Sequence, residues 1–151
     1  MKISASLAGA RRLYIETAPF IYFIEKHPGF VDKLRQVFRT VDVGQIEVTT
    51  SVVTLVDTLT KPMKTGDKVV EQGYRTLLQQ TPHIMLMPIT VPIAERAASL
   101  RARYNLRTPD ALHLAAALEG RCDAFLTNDL TLRRVTELRV LVLDELELDP
   151  S

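Results

Sequence analysis

Apolar residues fall into two alternating patterns along the chain. Short β-rich runs occur at 12–17 (RLYIET), 45–50 (QIEVTT), 83–89 (HIMLMPI), 124–127 (AFLT) and 138–143 (LRVLVL), which predicts a strand at each. Between them, apolar residues recur at helical spacing. Phe30, Leu34, Val37 and Phe38 mark one one-sided helix, and Ile93, Ala97, Leu100 and Tyr104 mark another. A helix after Thr49 and Thr50 is expected to stop near Thr60, because Pro62 disfavours helical geometry at Lys61. Gly66 then opens a helix carrying Val70, Tyr74 and Leu77 on one face. The stretch TPDALHLAAAL, 108–118, is apolar nearly all round, with Thr108 as expected N-cap and Pro109 at the first helical position.

Strands alternating with helices of ten or more residues predict a mainly parallel sheet covered on both faces, a three-layer α/β/α sandwich. A chain of 151 residues supports a single core. It is expected to form one domain over residues 12–151, preceded by a loose extension over residues 1–11, whose sequence MKISASLAGAR is too short in apolar residues for a secretion signal.

Composition removes several classes of function. Cys122 is the one cysteine, so intrachain disulfides and thiolate zinc sites are excluded and a reducing cytoplasm is expected. No apolar run approaches the roughly 20 residues of a membrane span. The net charge of +1 provides no global field toward nucleic acid or membrane. Dinucleotide binding is disfavoured because no Gly-rich phosphate loop follows any strand.

The chemistry then rests on acids. In open parallel sheets ligands bind beyond the carboxyl ends of the strands, and Glu16 and Asp129 both stand directly after a predicted strand. Each also has an ordinary explanation, as a helix cap or a first-turn acid favouring the helix dipole. Asp110 lies in the first turn of its helix, where the same dipole favours it. Asp57 lies within SVVTLVDTLT, among Val and Leu, where burial of an unpaired charge is costly and calls for a cation. Four acids converging at one edge would repel each other. A hard divalent ion, Mg²⁺ or Mn²⁺, resolves that repulsion with oxygen ligands. The three histidines form no competing imidazole cluster, and His113, one turn after Asp110, reads as a core residue or as support for a metal ligand.

The segments LYIETAPFIYFIEKHP, TSVVTLVDTL, RTPDALHLAAAL and FLTND, in this order and spacing, resemble the PIN domain, in particular its VapC-like toxin branch, over roughly residues 13–143. The resemblance implies an α/β/α fold that binds Mg²⁺ or Mn²⁺ and hydrolyses RNA, as the toxin of a toxin–antitoxin pair. On it, Glu16, Asp57, Asp110 and Asp129 match the four family acids, Thr17 neighbours the first and Thr127 opens the last acidic turn. The family has Asp at the first position and Glu at the second, so Glu16 and Asp57 exchange the two lengths. One methylene moves a carboxylate by about 1 to 1.5 Å, and a displacement of that order can cost roughly a hundredfold in rate.

If the acids converge, metal would activate water for in-line attack on an RNA phosphodiester. Glu16, Asp110 and Asp129 are the expected ligands, Asp57 completes the shell or orients a water, and Thr17, Thr127 and Asn128 add supporting hydrogen bonds. Residues 95–107 hold Arg96, Arg101, Arg103 and Arg107 against Glu95 alone, a local net of +3, which reads either as an RNA-tracking rim or as a solvated helix face. Phe20, Tyr22, Phe23 and Phe30 read first as packing core; the resemblance adds a homodimer surface and a groove for an antitoxin helix there. Two other readings stay open: a non-catalytic PIN-like module binding RNA or protein through a degenerate site, and a metal-dependent phosphatase of small esters.

Overall fold

The computed structural model describes residues 1–150. Five strands form one parallel sheet in the order β3-β2-β1-β4-β5. In chain order the elements are α1 (Ile3–Leu7), β1 (Arg12–Ile15), α2 (Thr17–Ile24), α3 (Val31–Asp42), β2 (Glu47–Ser51), α4 (Val52–Thr65), α5 (Lys68–Gln80), β3 (Ile84–Met87), α6 (Val91–Tyr104), α7 (Thr108–Glu119), β4 (Ala124–Thr127) and β5 (Val140–Val142). Short 3₁₀ turns follow β4 and β5, at Leu130–Arg134 and Leu143–Glu145. Each predicted strand is present; β4 spans its whole run, and the other four are shorter than theirs.

Side chains alternate across the pleat, so β1 feeds two cores at once. Leu13 and Ile15, with Ala124 and Leu126 of β4, pack under α1, α2 and α3. Tyr14 and Phe125 point the other way, toward α6, α7 and the apolar residues after β4. Their rings stack at 5.3 Å, an arrangement contributing about 0.5–1.5 kcal/mol beyond the area it buries. Ala111, Ala115, Ala116 and Ala117 are buried, and these small side chains let α7 lie close to the sheet.

Four local expectations are corrected, among them that Gly66 opens the helix after α4. The extension over residues 1–11 is not loose: Ile3 and Leu7 of α1 are buried in the first core, Lys2 bridges Glu147, and Ser4 bonds Asp149 through its amide (2.9 Å) and its hydroxyl (2.6 Å). Helix α4 does not stop at Thr60 but runs through Pro62 to Thr65. Pro62 is buried with Leu59, and that packing offsets the lost backbone bond. Gly66 ends α4 in the left-handed conformation at φ 75°, and Asp67 caps α5 by accepting from the Val70 amide at 3.1 Å. Thr108 is not the N-cap of α7; Arg107 holds that position, with no side-chain cap bond.

Candidate active site

The strand order places β2 and β3 on one side of β1, and β4 and β5 on the other. The chain therefore changes direction between β1 and β4, and the crevice beyond their carboxyl ends is where such sheets bind ligands. Ile15 pairs with Leu126, and the Glu16 amide donates to the Leu126 carbonyl at 3.3 Å. Glu16 and Thr127 thus emerge side by side, with Asp129 two residues further on. Helix α7 delivers Asp110 from its first turn.

Glu16 is 8% exposed. Burial raises its pKa to about 7; the Thr127 hydroxyl opposes the rise, Asp110 and Asp129 add to it, and Arg107 opposes it. Glu16, Asp110 and Asp129 therefore lie within electrostatic reach of one another, with one guanidinium among them. Arg107 Nε is 3.1 Å from Asp110 Oδ2.

Three of the acids nonetheless have partners of their own, Asp110 in Arg107 and the other two in hydroxyls and an amide. Asp129 Oδ1 accepts from the Thr131 amide (2.9 Å) and hydroxyl (2.7 Å), while the Asp129 amide donates to Thr127 Oγ1 at 2.9 Å. Asp57 Oδ2 accepts from Thr17 Oγ1 at 3.1 Å. Asp57 is exposed, not buried as its Val and Leu neighbours suggested, because at this turn α4 presents Val56 and Asp57 outward. Among the described residues, no group of three or more His, Cys, Asp and Glu side chains is arranged to hold a metal ion as it stands. The donor set still suits Mg²⁺ or Mn²⁺: it is all hard oxygen, and Glu16, whose pKa burial raises first, is pushed further up by Asp110 and Asp129. Holding an ion would require the carboxylates to turn from their present partners.

The remaining candidates divide. Thr127 is buried beside Glu16. Asn128 instead anchors the turn after β5, accepting from the Asp144 amide at 2.9 Å. The arginines do not form a free rim: Arg96 pairs with Glu119 at 2.7 Å, Arg103 with Glu137 at 3.0 Å, and Arg101 Nε donates to the Leu106 carbonyl at 2.9 Å. The local excess of charge is offset by acids distant in sequence, and of the four only Arg107 faces the acidic crevice. Sequence reasoning missed Tyr14 and Ser51: beneath the site the Tyr14 hydroxyl bonds Ser51 and His113, and His113 in turn contacts Thr17; Tyr14 reads as plain core between Leu13 and Ile15.

The family model described as the PIN domain matches residues 13–138. The chain belongs to the PIN domain family. No curated protein matches it. Among solved structures, PIN-like folds similar to this one include VapBC2 from Rickettsia felis bound to a promoter DNA fragment, with a TM-score of 0.72 at 15% identity, covering 87% of this chain and 98% of that one. A toxin–antitoxin complex from Klebsiella pneumoniae gives a TM-score of 0.68 at 21% identity, covering 87% and 97%. VapC20 from Mycobacterium tuberculosis, a toxin that cleaves the sarcin–ricin loop, gives 0.66 at 14% identity, covering 84% and 98%. At these identities the likeness concerns the PIN fold, and the five-stranded parallel sheet between helices agrees with it.

Proposed function

We propose that this PIN domain is a divalent-metal-dependent endoribonuclease, the toxin of a toxin–antitoxin pair. The observation that carries the reading is that Asp110 and Asp129 lie near enough to Glu16, at the β1–β4 crevice, to add to the rise that burial gives its pKa, to about 7. Acids in mutual repulsion at a ligand-binding edge have a chemical use when a cation joins them.

Glu16, Asp110 and Asp129 would hold Mg²⁺ or Mn²⁺, with Asp57 completing the set or orienting a water. When bound, the ion supplies an activated water and charge neutralisation at the phosphodiester. The chain's own groups prepare that site. Thr127 orients the Glu16 carboxylate, and Thr17 orients Asp57. Arg107, with a side chain 79% exposed, is free to swing from Asp110 to a phosphate oxygen, for which a guanidinium fork is well shaped. The Arg96, Arg101 and Arg103 side chains would assist RNA only by giving up their present partners.

The test is cleavage of a mixed RNA pool by purified protein with Mn²⁺, Mg²⁺ or EDTA, beside Asp110→Asn. Metal-dependent cutting that the variant loses supports the reading. Absence of cutting by folded, antitoxin-free protein favours the second reading, a non-catalytic RNA- or protein-binding PIN module. That second reading has its own observation, since Asp57, Asp110 and Asp129 are each engaged with a separate partner. A Mn²⁺ titration separates the two, because a degenerate site binds the ion poorly.

An antitoxin partner is supported by the structural neighbours, which include toxins solved with their antitoxins. On this chain a groove of about 700 Å³ between α2 and α5, lined by Ile24, Val69, Gly73 and Leu77, suits the apolar face of a helix. The aromatic cluster near the N-terminus supports a homodimer: Phe20 is fully buried, but Tyr22, Phe23 and Phe30 are only partly so. Sedimentation as a monomer at micromolar concentration would count against it. No helix is long and apolar enough to cross a membrane among the described residues, and a cytoplasmic place is proposed with the RNA substrate.

A further inference from the structure

Beneath Asp57 runs a chain of hydrogen bonds of which the proposed chemistry uses only the last link, Thr17 to Asp57. Ser51, the N-cap of α4, has its Oγ 3.0 Å from the Tyr14 hydroxyl. That hydroxyl lies 2.7 Å from His113 Nδ1. His113 Nε2 lies 3.2 Å from Thr17 Oγ1, which donates to Asp57 Oδ2 at 3.1 Å. The chain ties the ends of β1 and β2 and the start of α2 to α7, through an imidazole only 3% exposed.

The order of protons along it follows from what each group can do. An ionised carboxylate only accepts, so the single Thr17 proton goes to Asp57. The Thr17 oxygen is then left to accept, and His113 Nε2 must carry a hydrogen. A neutral imidazole bears one, so Nδ1 accepts, and the shorter of the two Tyr14 contacts takes the phenol proton. Ser51 Oγ lies 3.0 Å from the phenol oxygen and accepts the Val53 amide at 3.3 Å. Both ring nitrogens and the Thr17 hydroxyl are satisfied by one arrangement. The imidazole is neutral, since burial lowers its pKa to about 4. A residue serving only to fill this apolar space needs no ring nitrogens, because desolvating them is costly unless both are paired. Here both are paired, to two different elements, and one leads to the crevice.

We propose that His113 is a positioning residue: as the Nε2–H tautomer it donates to Thr17, commits the Thr17 hydroxyl to Asp57, and thereby holds that carboxylate toward the crevice. The proposal rests on the reading that Asp57 serves the metal and RNA site.

The first measurement is the two-bond proton–nitrogen spectrum of metal-free protein near neutral pH. A protonated Nε2 and a bare Nδ1 are expected, and the opposite tautomer or an imidazolium overturns the proposal. Asp57→Asn should shift the His113 Nε2–H signal through Thr17, whereas Asp32→Asn at a surface far in sequence should not; an unmoved signal in Asp57→Asn also overturns it. These arms do not depend on catalysis, so they stand apart from failure of the nuclease reading. In the cleavage assay, His113→Phe and Thr17→Val should each lower kcat by about tenfold to a hundredfold with KM little changed. Thr17→Ser should restore the rate, and the double variant His113→Phe with Thr17→Val should lose no more than either single one. Additive losses, or full activity in both single variants of a protein whose wild type cuts RNA, overturn the positioning role. If the wild type cuts no RNA, the nuclease reading fails and the two spectroscopic arms decide the arrangement alone.

Discussion

Arg107 stands three residues before Asp110 with Nε 3.1 Å from its Oδ2, and the same guanidinium opposes the raised pKa of Glu16 and is favoured by Asp129. In charge, it occupies the place among these acids that a divalent ion would take. Arg107→Gln is therefore expected to tighten Mn²⁺ binding several-fold in calorimetric titration. It should also weaken RNA binding and flatten its salt dependence, because one phosphate contact is lost. Equal Mn²⁺ affinity in the two proteins would mean that the guanidinium does not compete with the ion.

Glu16 and His113 give metal-free protein opposite responses to pH. The folded pKa of Glu16 is about 7 against an ordinary 4.5, so the folded state binds more protons between these values and stability falls as pH rises. His113 titrates at about 4 against an ordinary 6.5, so the unfolded state binds more protons and stability rises with pH. The slopes oppose each other between 4.5 and 6.5, each reaching at most about 1.4 kcal/mol per pH unit. Relative to wild type, Tm of Glu16→Gln should climb with pH across this window, and Tm of His113→Phe should fall. Parallel curves for all three proteins would contradict both shifts.

The exchanged lengths of the first two acids make a second pair of variants informative. Glu16→Asp withdraws a buried carboxylate from the crevice by about one methylene and is expected to cost roughly a hundredfold in kcat/KM. Asp57 is exposed and tied to Thr17, so Asp57→Glu has room to extend. Combined, the two substitutions should recover part of the loss. A double variant no better than Glu16→Asp alone would show that the lengths do not compensate.

How far the sequence could be read follows from the range of each interaction. Strands and the acids after them were legible because they depend on neighbours in the chain: Leu13, Tyr14 and Ile15 alternate and Glu16 follows directly. Convergence at the β1–β4 crevice required the strand order, which no local pattern contains. Asp57 looked buried because Val53 and Val56 flank it, yet Val56 is itself 64% exposed. The arginines of α6 and the loop after it looked like a basic rim because Glu119 and Glu137 lie outside that window of sequence. Pro62 looked like a stop because its backbone cost is local, whereas the packing that offsets it comes from the fold.

The first eleven residues test the same distinction between local and tertiary effects. Helix α1 has five residues, too short to persist alone in water, so its order depends on what it touches. Ile3 and Leu7 are 1% and 6% exposed, and the Ile3 amide donates to the Glu147 carbonyl at 3.0 Å, which joins the two ends of the described chain. Ile3→Ala and Leu7→Ala should each cost about 2–4 kcal/mol in urea unfolding, with Tm lowered by roughly 2–4 °C per kcal/mol. Ser4→Ala, which removes one bond to Asp149 at an exposed position, should cost far less. A loose extension would leave all three variants as stable as wild type, and that result would detach α1 from the core.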